Sequence, residues 1–433
     1  MKTVGFSEYV RLHINARRAE DDQFIPPAWY KQHTMRDDLY AFVEQKLPTK
    51  ELEQALFNGI PVEIHGTHPL YATEIMLSVG YTDIEEIHTE RTDFYVGFSP
   101  LPPRFFWATD KTGQRKLLMA VTPGKDYVAH FAELVRYFCH QHFYDPSKTL
   151  QIVRYPDVET ELTNWSGLDH GFVTPGDRII MGHVTELEQE MHAAVAQGEV
   201  TLLSNAQNPF YGSKRYRTKT GEVINLVSAH YSYWGNMAGL IAERLCELGA
   251  SEIIYVSKVG TLTNADDVYS RVFAPVRFAA LDREQISTVV QVENTLCNSY
   301  PELNSNMHVS VATIMEETFR QREIASTIGS TTIDMETAHI ALAIDKWNKN
   351  STTKVRFGSL HFASDYLHPD DKPCGCKTFN LATDKTALAM EKHSVVVSEM
   401  MQYMLGHIGL TTLKPLKTVP ALDHQLQLLA AAA

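Results

Sequence analysis

The chain has 433 residues, 44% of them hydrophobic and 21% charged, which is ample material for a core and more length than one domain usually takes. A formal net charge of −13 argues against a protein that grips a nucleic-acid phosphate backbone. Five cysteines, an odd number spread along the chain, suit reduced thiols in a cytoplasmic protein better than a disulfide framework, and no apolar run has the length of a membrane span.

The opening stretch, MKTVGFSEYVRLHINARRAEDD, lacks the apolar core of a signal peptide. Glu20-Asp21-Asp22 and Ile25-Pro26-Pro27 then punctuate an irregular region. Residues 37–47 read as a helix with acids at its start and Leu39, Phe42 and Val43 on one face. Strand-like runs follow at 61–65, 94–98, 104–108 and 116–121, separated by Pro and Gly turns, with helical periodicity at 69–79. Residues 127–143 form a long, aromatic-rich helical pattern. These pieces predict a compact α+β domain of unassigned role over residues 1–165. His130, Cys139, His140 and His142 suggest a metal, but His140 and His142 fall on different faces of a helix, so packed or solvated histidines are expected and no metal site.

Further on, residues 172–174 lead into Pro175-Gly176-Asp177-Arg178, a Gly turn whose backbone N–H groups and Arg178 can cradle an anion, or which is a plain tight turn. Runs 200–204 and 223–228 read as sheet strands, with the basic, aromatic stretch 211–219 as a hairpin loop between them. Residues 229–236 crowd His230, Tyr231, Tyr233 and Trp234 together. A helix over 236–248 is stopped by Gly249 and feeds a buried strand at 252–256, after which Ser257-Lys258-Val259-Gly260 reads as a turn. Residues 309–317 read as a strand and turn in which Ile314 and Met315 line a pocket or pack in the core.

The most informative stretch is 331–368. Asp334 and Glu336 sit where an apolar run gives way to helical spacing at Met335, Ala338, Ile340, Ala341 and Ile344, and a strand at 355–363 ends in Ser364-Asp365. One carboxylate at a strand-to-helix junction and another past a strand end lie where open α/β sheets bind ligands; the alternative is that both are caps. Cys374-Gly375-Cys376 in the loop 366–377 lacks the paired spacing of a metal site. A closing helix is expected at 383–404, and 411–433 is left as a tail.

Asp334-Met335-Glu336-Thr337-Ala338, followed in order by Ala363-Ser364-Asp365 at a strand end, resembles the signature of the nucleoside phosphorylase/nucleosidase superfamily, over residues 171–410. The resemblance implies an α/β catalytic domain at 166–410, with a mixed, twisted central sheet flanked by helices. AMP nucleosidases of this superfamily place an N-terminal domain of comparable size before it. By resemblance Met335 and Glu336 hold the ribose, Asp365 beside Ser364 is the general acid at a purine, and Ile314 and Met315 wall the base. Gly176, Arg178 and Lys258 are the anion ligands so implied.

The sequence departs from the pattern in three places. Rings replace the Gly-rich segment after Ser228, so that Tyr231, Tyr233 or Trp234 would stack on a base or plug the anion site. Tyr255 stands for a phosphate-gripping arginine, with Lys258 for a small hydroxyl residue, and Arg178 comes two positions early. The expected reaction is cleavage of the N-glycosidic bond of a purine nucleoside or nucleotide by water or phosphate. The alternative is a non-catalytic nucleoside- or nucleotide-binding module. Expected partners are the small-molecule substrate and further copies of the chain as a homo-oligomer, with no nucleic acid, no membrane, and no cofactor beyond inorganic phosphate as co-substrate.

Overall fold

In the computed structural model, which describes residues 17–18, 25–35, 38–88, 102–155, 166–367 and 387–410, the chain builds two sheets. The first contains β1 (Arg17–Arg18), β2 (Val62–Gly66), β3 (Thr82–Ile87), β4 (Arg104–Thr109), β5 (Arg115–Val121) and β6 (Leu150–Tyr155), in the order β1-β6-β2-β5-β4-β3. β2 runs parallel to β5 and β6, and β4 is antiparallel to both its neighbours. Helices α1 (Asp38–Lys46), α2 (Thr49–Phe57), α3 (Ala72–Val79) and α4 (Lys125–Gln141) accompany it. In α4, Val128, Phe131, Leu134, Val135 and Phe138 recur at three- and four-residue steps and are all buried, which is why this stretch is helical and why it docks on the sheet. The run at 94–98 lies outside the described residues. Met315 is buried within the core of this first half, with Ile314 and Trp234 packed against it, although all three come from far downstream.

The second sheet is mixed and twelve-stranded, with helices flanking it, as expected for the second half. Its strands are β7 (Arg178–Gly182), β8 (Val200–Gln207), β9 (Tyr211–Thr218), β10 (Val223–Ala229), β11 (Glu252–Thr261), β12 (Val272–Phe273), β13 (Arg277–Asp282), β14 (Gln285–Ile286), β15 (Val290–Gln291), β16 (Met307–Val311), β17 (Ser330–Asp334) and β18 (Arg356–Tyr366). The helices are α5 (Thr185–Ala196), α6 (Asn236–Glu247), α7 (Phe319–Thr327), α8 (Thr337–Asn350) and α9 (Ala387–His407). β11 is the axis. Its first half lies between β7 and β18, both parallel to it, and its end is flanked by β18 and by antiparallel β17. Near-continuous burial along β11 and β18 fits strands covered on both faces.

Two expectations are corrected. Residues 211–219 are not a loop: β9 pairs along its length with β8 and β10, and two of its basic residues pair with acids, Arg215 with Asp177 at 2.8 Å and Lys214 with Glu188. Nor is 257–260 a turn, because β11 continues to Thr261. The parallel strands β7, β10, β11 and β18 bring Gly182, Ala229, Lys258 and Asp365 towards one edge of the sheet, and Arg178, Glu252 and Arg356 to the other.

Candidate functional site

At the carboxyl edge, β17 ends on Asp334 and α8 begins three residues later. The Asp334 carboxylate accepts hydrogen bonds from the backbone N–H of Glu336 and of Thr337, each 3.1 Å, and from the Thr337 hydroxyl. Asp334 is therefore the carboxylate that caps the helix, while the Glu336 side chain makes no cap. Asp334 is itself anchored: His308 Nε2 donates to it at 2.8 Å, the Ser310 hydroxyl at 2.5 Å, and Thr332 Oγ1 fixes the other His308 nitrogen at 2.9 Å. Although burial opposes its charge, His308 and these hydrogen bonds hold the Asp334 carboxyl well below the usual range.

Glu336 is half-buried beside this fixed charge. Burial, then Asp334, push its carboxyl well above the usual range, with Lys258 and a hydrogen bond from Tyr255 working against them. Tyr233 and Tyr255, ring centroids 6.4 Å apart, stand next to Glu336, and burial and the Glu336 charge push the Tyr233 phenol up.

Asp365 reaches the same region from the other flank of β11. In the register, Gly260 pairs with Asp365 on one side and with Ile333 on the other. A Cβ at Gly260 would lie 2.9 Å from Asp365 Oδ2 and would collide with Leu367, so the missing side chain is what lets Asp365 lie over the strand. The Ser364 hydroxyl donates to Asp365 at 2.6 Å. Burial raises the Asp365 carboxyl, and Ser364 and Lys258 oppose the shift. Lys258, exposed on β11, is thus a charge felt by both Glu336 and Asp365.

A third carboxyl joins them. Glu317, 7% exposed, follows the 3-10 turn Ile314–Glu316 after β16. Burial, then the charges of Asp365 and Asp334, push it well above the usual range. Burial thus favours the protonated form of Glu317, Glu336 and Asp365 alike.

The remaining expected residues divide. Met335 is half-buried at the β17–α8 junction, and its carbonyl accepts the Gly235 N–H at 2.8 Å. Tyr231 is 1% exposed in the core, hydrogen-bonded to Tyr211 and with its ring edge-on to Tyr233 at 6.5 Å. Trp234 does not stack over the site; its ring lies edge-on to Tyr127 and His130, with centroids at 4.8 and 4.7 Å. Ile314 and Met315 pack with the first half's core instead of lining the site, because the turn that carries them is docked there.

Gly176 and Arg178 belong to the opposite edge. Arg178 pairs with fully buried Glu252 and contacts His407 at 3.1 Å, in a cleft of about 580 Å³ that Lys354 and Arg356 also line. Of the three expected anion ligands, Lys258 lies at the edge that carries Asp365. His183 follows β7 at the correct edge, held to Val256 O by its N–H at 2.5 Å, and pairs with Glu186 at 3.2 Å. Sequence reasoning missed Asp334 as the helix cap, His308 and Glu317. The acid pair Glu316-Glu317 at the end of an apolar run was a signal for Glu317; nothing local pointed to His308, whose partner is 26 residues away.

No protein-family model matches the chain. A curated relative, "Oxidoreductase cns1" of Cordyceps militaris, is 29% identical over an alignment of 347 residues that covers 77% of this chain and 43% of the relative. The chain therefore spans less than half the length of the curated relative it matches. Among solved structures, the 5'-methylthioadenosine/S-adenosyl homocysteine nucleosidase of Campylobacter jejuni is similar at 14% identity and a TM-score of 0.38, covering 55% of this chain and 100% of that one. The purine nucleoside phosphorylase of Toxoplasma gondii, in complex with immucillin-H, gives 18% and 0.38, covering 56% and 93%. The 5'-methylthioadenosine nucleosidase of Arabidopsis thaliana gives 14% and 0.38, covering 56% and 98%.

Proposed function

We propose that the chain cleaves the N-glycosidic bond of a purine nucleoside or nucleotide. The observation that carries this reading is the pair Glu336, just past the end of β17, and Asp365, on β18, the two strands that flank the end of β11, both within reach of the Lys258 charge. Breaking the C1′–N9 bond sends its electron pair onto the base. A protonated Asp365 supplies the proton the base then needs at N7, and burial, which raises its carboxyl, favours that protonated form. Glu336 accepts from the ribose 2′- and 3′-hydroxyls and so holds the sugar, with Met335 against it. A water oxygen then bonds to C1′, and the proton it releases replaces the one Asp365 gave up.

Water is preferred to phosphate as nucleophile because Gly176 and Arg178, two of the three expected anion ligands, lie at the other edge of the sheet. Replacing Lys258 with Met tests the remaining one: if it holds an anion, the Michaelis constant for that ligand rises about tenfold. The name oxidoreductase belongs to a relative more than half of which lies outside the match, and this chain contains no Gly-x-Gly pair of the kind used by dinucleotide-binding turns. A binding module that has lost turnover is the second reading; retention of an acid with a raised pKa at the leaving-group end speaks against it.

The test is base release from a purine nucleoside and nucleotide panel, with and without phosphate. Release in both conditions is expected, and Asp365→Asn should lower turnover by about 10²–10⁴ with binding largely kept. Release only with phosphate would make the protein a phosphorylase, and binding without release would leave the module. Self-association, proposed from the superfamily resemblance, is checked by light scattering at micromolar concentration.

A further inference from the structure

The peptide unit between Met335 and Glu336 is gripped at both of its polar ends. Its carbonyl accepts the Gly235 N–H at 2.8 Å, and its N–H donates to Asp334 Oδ1 at 3.1 Å. A peptide unit is planar, so holding both ends constrains the Glu336 Cα and the direction in which that side chain leaves the backbone. The first grip is secured from the first half of the chain, where Asp126 Oδ2 at the start of α4 accepts the Asn236 N–H at 2.8 Å. Gly235 has a φ of +61°, and a Cβ there would run into the Asp126 carboxylate, so the position requires glycine. The second grip is secured from β16. In the register of β16 with β17, His308 pairs with Thr332 and Ser310 with Asp334. The His308 ring therefore reaches along the strand pair to bring Nε2 within 2.8 Å of Asp334 Oδ1. That ring is fixed at its other nitrogen by Thr332 Oγ1, at 2.9 Å, and on one face by the His361 ring, stacked at 5.7 Å with 15° between the planes. His308, Thr332 and His361 are all fully buried.

We propose that His308 is a positioning residue for Glu336: through the Asp334 carboxylate it holds the Met335–Glu336 peptide in the orientation from which Glu336 accepts from both ribose hydroxyls. The inference rests on the part of the reading above that gives Glu336 those hydroxyls, and it names what sets the preference for a sugar that carries them. Asp334 Oδ1 accepts from four donors: His308 Nε2, the Ser310 hydroxyl, and the N–H groups of Glu336 and Thr337. One oxygen keeps four donors at bonding distance only if its carboxylate is held still. His308 and Ser310 are the two that lie outside the segment being positioned. Without the His308 donor the buried carboxylate turns to recover a partner, and the Glu336 N–H moves with it. The loss falls on the sugar hydroxyls and leaves contacts to the base alone.

The experiment measures binding to the full-length protein in an Asp365→Asn background, where turnover is slow. The probes are whichever of adenosine, inosine and guanosine binds tightest and its 2′,3′-dideoxy counterpart, each titrated by calorimetry. The background protein is expected to bind the riboside about tenfold or more tighter than the dideoxy compound, the worth of hydrogen bonds to a carboxylate. His308→Phe keeps a ring against His361 but has no donor, and should cut that ratio to about twofold or less by weakening the riboside alone. His308→Gln, whose amide donates to Asp334, should restore the ratio. Thr332→Val takes away the partner of His308 Nδ1 and should narrow the ratio about threefold; it decides the matter if His308→Phe does not fold. Equal weakening of both probes would mean a merely structural role and would overturn the proposal, as would an unchanged ratio or a background protein that binds both probes equally. Failure of the functional reading looks different. A wild-type protein that prefers the riboside but releases no base loses that reading and keeps the positioning role, whereas one that binds none of the nucleosides overturns both.

Discussion

Glu252 and Glu316 show how two buried glutamates answer oppositely to what surrounds them. Glu252 is fully buried, and Arg178, Arg356 at 3.3 Å and His407 at 3.6 Å surround it. Burial alone would raise its carboxyl, yet His407, Arg178 and the hydrogen bonds bring it down to about 2. Because its folded value lies below the unfolded one, its contribution to stability is present above about pH 4.5 and is lost as the pH falls towards 2. Arg178→Ala should cost about 3–5 kcal/mol by leaving a poorly compensated buried charge, with no change in the Michaelis constant of any anionic ligand; urea unfolding and steady-state kinetics read the two effects. Glu316 behaves in the opposite way. Burial raises it to about 7, so its contribution is present below about pH 4.5 and is lost as the pH rises through 7. Glu316→Gln should therefore raise the melting temperature at pH 8, by an amount on the order of 3 kcal/mol in stability, and leave it nearly unchanged at pH 4.

β11 decides where the site can be, because it is flanked at its end by the two strands that deliver the carboxyls. Gly260 is the position that makes this possible. Gly260→Ala puts a methyl group 2.9 Å from Asp365 Oδ2, and turnover should fall about 10²-fold while the chain still folds, which circular dichroism and a base-release assay would show. The strands and helices around this point were readable from periodicity: α6 and α8 have amphipathic spacing, and 355–363 reads as a strand ending in Ser364-Asp365. The carboxyls of Glu336 and Asp365 were readable because each follows an apolar segment at a junction. Less readable was anything set by distant pairing. The basic residues of β9 look like a solvated loop until Asp177 and Glu188 are placed beside them. Arg178 looks like an anion ligand until β7 is laid parallel to β11, which turns its first residue to the far edge. Trp234 and Met315 carry no local sign that their neighbours are α4 and the first sheet.

At the scale of the whole molecule, the two sheets share side chains. Met315 is fully buried in the core of the first half, and Trp234, Ile314 and the hydrogen bond from the Thr34 hydroxyl to the Glu317 carbonyl line the same seam. Met315→Ala should cost about 2–5 kcal/mol and, if the halves melt together, should lower a single calorimetric transition and not split off a part of it. Among the described residues no helix is long and apolar enough to cross a membrane. The shared seam also bears on how the protein is made. The first half ends its last strand at Tyr155, but Met315, which fills its core, leaves the ribosome roughly 160 residues later, which at ordinary rates of synthesis is roughly 10–30 s. For that interval the core of the first half lacks the methionine that fills it in the folded protein, so its packing is completed only once the later part of the chain is present.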